Sequence, residues 1–256
     1  MKADKTDTYI IHFKTKIKRN DRNCLTRENY CTPTNKVSYK VKKNIQSVQE
    51  FFKLNNRYPG LAPDYYCNIP NSTFADEEHY TEECVKNHYN DCMKNFDLNM
   101  QFFSSLDTEK FNNHLTSFVE KNRFKEIDDL QTVSQTEGVY ILVLDKYNQV
   151  YIGISSDIKK RILSHWSKRK EFDHLICGKV EESILSIDSF GALDTTRIFY
   201  KPCSWWGKDK AEEKFVAKFK SIYRLNRVAG GLNAEEDRTL RNLMFNANIQ
   251  KRSLGN

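Results

Sequence analysis

The chain has 256 residues, 39% hydrophobic and 29% charged, with 9 Gly and 5 Pro, a balance that suits a folded protein with a real core and excludes collagenous and low-complexity classes. A mean hydropathy of -0.72 and the lack of any apolar run of about 18 residues exclude a membrane-spanning chain. The net charge of +7 is uneven, with +7 over residues 1–50, -6 over 51–130 and +6 over 131–256, so the two basic ends point to an anionic partner, nucleic acid first.

The first seven residues are polar and charged with no apolar run behind them, so no signal peptide or lipidation motif is read and a cytoplasmic protein is expected. Seven cysteines, an odd count in a chain of this length, read as reduced thiols. Residues 8–18 alternate like a strand, with Tyr9, Ile11 and Phe13 against polar neighbours, and a basic irregular stretch follows to residue 43. Residues 45–54 predict a short amphipathic helix, 59–70 a loop, and 78–103 and 108–130 longer helices. Residues 1–130 are therefore expected to form a mainly helical N-terminal domain that chooses a target or partner. Cys84, His88 and Cys92 lie four apart on one of these helices, a spacing that does not bring ligands together as the close Cys pairs of structural zinc sites do.

Residues 131–256 read as a second domain. A β-branched and aromatic run at 138–144, turn chemistry at 145–149 and a second run at 150–154 predict a hairpin. A helix at 157–169, a strand at 195–200 and helices at 209–223 and 234–248 complete it. The expected class is α/β, a small, mainly antiparallel three-stranded sheet flanked by helices. Trp205-Trp206 read as packing residues.

The hairpin opens with Gly138-Val139-Tyr140 and closes with Tyr151-Ile152-Gly153. This resembles the GIY-YIG nuclease family, over about residues 136–235. The resemblance implies an arginine on the next helix, eight positions past the second glycine, which is Arg161. It implies a glutamate three and four residues before a bulky apolar pair, which Glu212 satisfies before Phe215 and Val216. It also implies an asparagine after a glycine-containing turn, which is similar to Gly230-Gly231-Leu232-Asn233, although the 21 positions from Glu212 to Asn233 exceed the family's usual gap.

Physical chemistry supports these residues independently. Asp157, Arg161 and His165 share one helix face beside the apolar stripe of Ile158, Ile162 and Trp166, so Arg161 can offer a phosphate a planar fork of donors at the edge of a buried face. Glu212 falls on the apolar face with Phe215, Val216, Phe219 and Ile222, whereas Glu213 aligns with solvated Ala217 and Lys220. An inward carboxylate calls for a cation, and one carboxylate with phosphate oxygens and waters suits Mg²⁺, or Mn²⁺. Tyr140 and Tyr151 can present two phenols to one cleft, and His165 is a secondary proton-transfer candidate. Gly153, Lys160 and Asn233 are the substrate-binding candidates. The expectation is metal-dependent phosphodiester hydrolysis in duplex DNA, with a restriction, defence or mobile-element role, and a homodimer if both strands are cut. The competing readings are a non-catalytic nucleic-acid-binding or regulatory scaffold and an RNA-directed nuclease.

Overall fold

The computed structural model describes residues 8–31, 82–168, 185–203 and 208–226. The elements expected at 45–54, 59–70 and 234–248, together with Asn233 and Trp205-Trp206, lie outside the described residues. Among the described residues the fold is mixed α/β with two antiparallel sheets, and no helix is long and apolar enough to cross a membrane. The chain divides into two compact units, one of residues 1–29, 100–169 and 185–230, the other of residues 30–99, 170–184 and 231–256. The division does not fall at a single point in the sequence.

The alternation at residues 8–18 is two strands, β1 (Tyr9–His12) and β2 (Thr15–Lys18), paired as a hairpin. Its turn was hidden because the central residues are Phe13 and Lys14 with φ of 45° and 53°, the left-handed pair of a type I′ turn built without Asn or Gly. Helix α1 (Arg27–Tyr30) is a single turn, and α2 (Glu82–Ser104) follows the helix expected at 78–103. Asn95 at the buried face of α2 donates to the Tyr30 hydroxyl at 3.3 Å, and Phe96 packs on the Tyr30 ring.

Helix α3 (Thr108–Asn122) starts at Asp107, whose carboxylate accepts the Lys110 N–H at 3.0 Å. It stops eight residues short of the expected 130. Arg123 turns left-handed at φ 56°, its N–H goes to the Glu120 carbonyl and the Phe124 N–H to the Val119 carbonyl. That is a Schellman stop with Phe124 stacked back on Phe118. The chain released by this stop forms a short strand, β3 (Lys125–Ile127), that sequence periodicity could not reveal in three residues.

Strands β4 (Gly138–Leu144) and β5 (Gln149–Ser155) form the expected hairpin, followed by helix α4 (Ile158–Ser167), strand β6 (Arg197–Pro202) and helix α5 (Lys208–Lys218). The main sheet therefore has four strands and not three, in the order β3-β6-β4-β5. One face carries Val139, Ile141, Val143, Val150, Ile152 and Phe199 into a core with Phe111, Leu115 and Phe118 of α3 and Phe215, Val216 and Phe219 around α5. The opposite face carries Tyr140, Leu142 and Tyr151, and α4 packs there through Ile158 and Ile162. A β4 without alternation, buried at all seven positions, is what a central strand covered on both faces requires.

Segments 21–25 and 191–195 are stitched together in the sheet-bearing unit. The Leu193 N–H donates to the Asn23 carbonyl at 2.7 Å. The buried Asp194 carboxylate accepts from the Leu25 N–H at 2.7 Å, the Gly191 N–H at 2.8 Å and the Tyr147 hydroxyl at 3.1 Å. The described cysteines Cys24, Cys31, Cys92 and Cys203 are thiols.

Candidate functional site

The antiparallel register sets Tyr140 opposite Gly153 and Tyr151 opposite Leu142, so both tyrosines emerge on the face that α4 covers. Their ring centroids are 6.2 Å apart. Gly153 is what allows this: a Cβ there would lie 2.4 Å from the Tyr140 Oη and 2.9 Å from Tyr151 Cε1. Gly138 serves at the other end of β4, where a Cβ would lie 2.4 Å from the Lys201 carbonyl oxygen. The two glycines of the hairpin motif thus have steric reasons to be glycine.

Helix α4 begins where Asp157 accepts the Lys160 N–H at 3.0 Å. Asp157 is the N-cap, and Lys160 itself is exposed. One turn on, Arg161 faces both phenols. A further turn brings His165, 3% exposed, beneath them: its Nε2 lies 2.8 Å from Tyr140 Oη, and its ring centroid 5.1 Å from that of Tyr151. On its far side, His165 Nδ1 lies 2.6 Å from Asp188 Oδ1. An ionised Asp188 only accepts, so Nδ1 carries the proton and Nε2 accepts the Tyr140 hydroxyl. The result is a continuous line, Asp188 to His165 to Tyr140.

The electrostatics fit that protonation. Burial pushes the His165 pKa below its ordinary value, against the pull of Asp188. Asp188 is driven upward by burial, but accepting from His165 holds it below the ordinary carboxylate value. Burial also raises the Tyr140 phenol well above its ordinary value, with Tyr151 adding and Arg161 opposing. Tyr151 is pushed up to about 12 by burial and then by the Glu212 carboxylate. Burial works against the Arg161 charge, but Tyr140, Tyr151 and Asp188 outweigh it and its pKa rises.

Glu212 is half-buried on α5 while Glu213 is exposed, the separation their helical positions demand. Phe215, Val216 and Phe219 are buried below Glu212, but Ile222 is 48% exposed, a departure from the expected stripe. The helix ends at Lys218 and a tight turn over Ser221–Tyr223 rotates the chain, so Tyr223 enters the core instead.

The structure brings Tyr140, Tyr151, Gly153, Arg161, His165 and Glu212 together and leaves Lys160 outside the cluster. Two residues escaped the sequence reading. Asp188 sits in a short turn at Ile187–Ser189 with no periodic signal. Asn226 lies at the outer edge of β5, where its Oδ1 accepts the Ile152 N–H at 2.9 Å and its Nδ2 donates to the Ile152 carbonyl at 2.6 Å. It clamps the Tyr151-Ile152-Gly153 segment, and the Leu225 N–H adds a bond to the Val150 carbonyl at 2.8 Å. Its place 14 residues after Glu212, closer than Asn233, was the available signal.

The depressed histidines have a consequence for stability. His165, His12 and His114 all have pKa values lowered chiefly by burial. Below about 6.5 the unfolded chain binds protons that the folded chain refuses. The Tm is therefore expected to fall as pH drops from 7.5 to 5.5. A Tm flat across that range, followed by circular dichroism, would show that these rings are not protected from protonation.

Comparison with family models, with curated proteins and with solved structures returned no match.

Proposed function

We propose that this chain is a metal-dependent endonuclease of the GIY-YIG type, hydrolysing phosphodiester bonds in duplex DNA in a restriction, defence or mobile-element role. The observation that carries the reading is the Asp188–His165–Tyr140 line, with Tyr140 Oη 2.8 Å from His165 Nε2, set beside a guanidinium that faces the same phenol. A buried structural tyrosine needs an acceptor for its hydroxyl, but not one backed by a carboxylate and set beside a guanidinium. A phenol that must take a proton from water needs somewhere to pass its own.

Tyr140 is the better candidate for the base of the two phenols. Its hydroxyl has an imidazole 2.8 Å away to receive the proton, whereas the Glu212 carboxylate raises the pKa of both phenols and does not separate them. Arg161 offsets charge on the phosphate as the pentacoordinate transition state forms, a role that a planar, permanently charged donor fork performs well. Tyr151 orients the attacking water or a phosphate oxygen. The Glu212 carboxylate, half-buried and close enough to raise the Tyr151 pKa, is a hard oxygen donor that fits Mg²⁺ or Mn²⁺ with phosphate oxygens and waters as the remaining ligands. When bound, that cation supplies charge stabilisation at the phosphate and leaving oxygens.

The direct test incubates the wild-type chain with supercoiled plasmid or a structured RNA, in Mg²⁺ or in chelator, and scores strand breaks on a gel. Mg²⁺-dependent cutting of the plasmid, absent in chelator, is the expected result. Cutting confined to the RNA would select the RNA-directed reading. Binding without cutting in every condition would select the non-catalytic scaffold.

A further inference from the structure

The β1–β2 hairpin has two unlike faces. Toward the rest of its unit, His12 Nε2 lies 2.9 Å from the Thr195 carbonyl oxygen, Phe13 stacks on Trp166 at 6.2 Å, and the Leu130 N–H donates to the Phe13 carbonyl at 3.1 Å. These anchors matter because a lone two-stranded ribbon is marginal in water. Trp166 belongs to α4, the helix that carries Arg161 and His165, so the ribbon and the candidate site are mounted on one helix.

The outward face is built from Tyr9 and Ile11 on β1 opposite Lys18 and Lys16 on β2. Tyr9 is 46% and Ile11 70% exposed, and the Lys16 ammonium sits 4.4 Å over the Tyr9 ring. Residues 8–22 carry five Lys or Arg against one Asp, with Arg19 closing the ribbon through its N–H to the Thr8 carbonyl at 2.8 Å. Among the described residues, Lys14 pairs with Asp128 at 3.2 Å and Arg22 with the adjacent Asp21 at 3.9 Å.

We propose that this outward face, Tyr9, Ile11, Lys16 and Lys18, docks duplex DNA, with the ribbon entering the major groove. The inference rests on the nuclease reading only in taking nucleic acid as the partner. Charge complementarity selects a polyanion: the lysines suit phosphates, while the apolar side chains between them suit base edges such as thymine methyls. Groove shape selects DNA, because the B-form major groove, about 12 Å wide, admits a two-stranded ribbon, whereas the A-form groove of duplex RNA is too narrow and deep.

The test measures binding of the full chain to a labelled DNA duplex and to an RNA duplex of the same sequence by fluorescence anisotropy, in chelator so that nothing is cut, across a salt series. The variant pairs Lys16→Ala with Lys18→Ala, both on the exposed face, and its melting curve is compared with that of the wild type. The expected result is a slope of log affinity against log salt shallower by about 2 and binding weaker by on the order of tenfold at low salt, at roughly 0.9 of slope per phosphate contact. Ile11→Glu, which sets a carboxylate among phosphates, is expected to weaken binding further. Unchanged affinity and slope, wild-type preference for an RNA duplex, or no wild-type binding to DNA would each overturn the proposal. Binding in chelator together with no cutting when Mg²⁺ is added would instead leave the ribbon assignment standing and remove the nuclease reading.

Discussion

Tyr140→Phe is expected to slow strand cutting by about 10²–10⁴-fold, the usual worth of a positioned proton-transfer group, while DNA binding in chelator stays at the wild-type level. The argument starts from the closed setting of the phenol, which is fully buried and has its pKa raised. Losing a proton to bulk water would add a negative charge to that setting, which Arg161 offsets only in part. Passing it 2.8 Å to His165 Nε2 leaves the net charge of the cluster unchanged, and Asp188 then faces the imidazolium directly.

At ordinary phenol and imidazole pKa values, about 10 and about 6.5, that transfer costs roughly 5 kcal/mol, and burial widens the gap by raising Tyr140 and lowering His165, so the proton moves as water attacks and not beforehand. Phenylalanine keeps the ring over Gly153 but leaves Nε2 without its donor, a loss of about 1–3 kcal/mol in stability that the Tm would register separately. Glu212→Ala in the same assay should abolish Mg²⁺-dependent cutting. A Tyr140→Phe protein that cuts at the wild-type rate would remove Tyr140 from the chemistry.

Asp194→Ala is expected to cost about 3–5 kcal/mol of stability, read from chemical denaturation. Three donors converge on this carboxylate, the N–H groups of Leu25 and Gly191 and the Tyr147 hydroxyl, and alanine would leave all three unsatisfied in a site where Asp194 is 3% exposed. Burial raises the Asp194 pKa despite those donors. The loss should also loosen the segment before Leu25, with slower-exchanging amides near Asn23 becoming fast in hydrogen exchange. A stability change below about 1 kcal/mol would mean that water or a shifted side chain replaces the carboxylate.

Local chemistry was enough to specify much of this protein. The run at 138–144, the turn before Gln149 and the second run are visible because β-branched and aromatic residues, and the Asn148 that turns left-handed at φ 51°, act on the chain within a few residues. The helix after Asp157 is likewise local, since an N-cap and a 3.6-residue stripe are sequence properties. The inward turn of Glu212 follows from the same arithmetic, and it fails at Ile222 only because α5 stops sooner than periodicity suggests.

Tertiary structure decided the rest. Nothing near Phe13-Lys14 marks a turn, since neither residue favours a left-handed backbone; packing on Trp166 and the bond from Leu130 hold it there. Asp188 and Asn226 are 23 and 74 residues from the partners they serve, and a polar contact across such distances leaves no periodic trace. His165 shows both contributions: its helix and face were legible from sequence, but only the folding of Asp188 and Tyr140 onto opposite ring nitrogens determines its tautomer. Hydrogen-bond direction is a property of the three-dimensional surroundings, whereas strand and helix are largely properties of the chain.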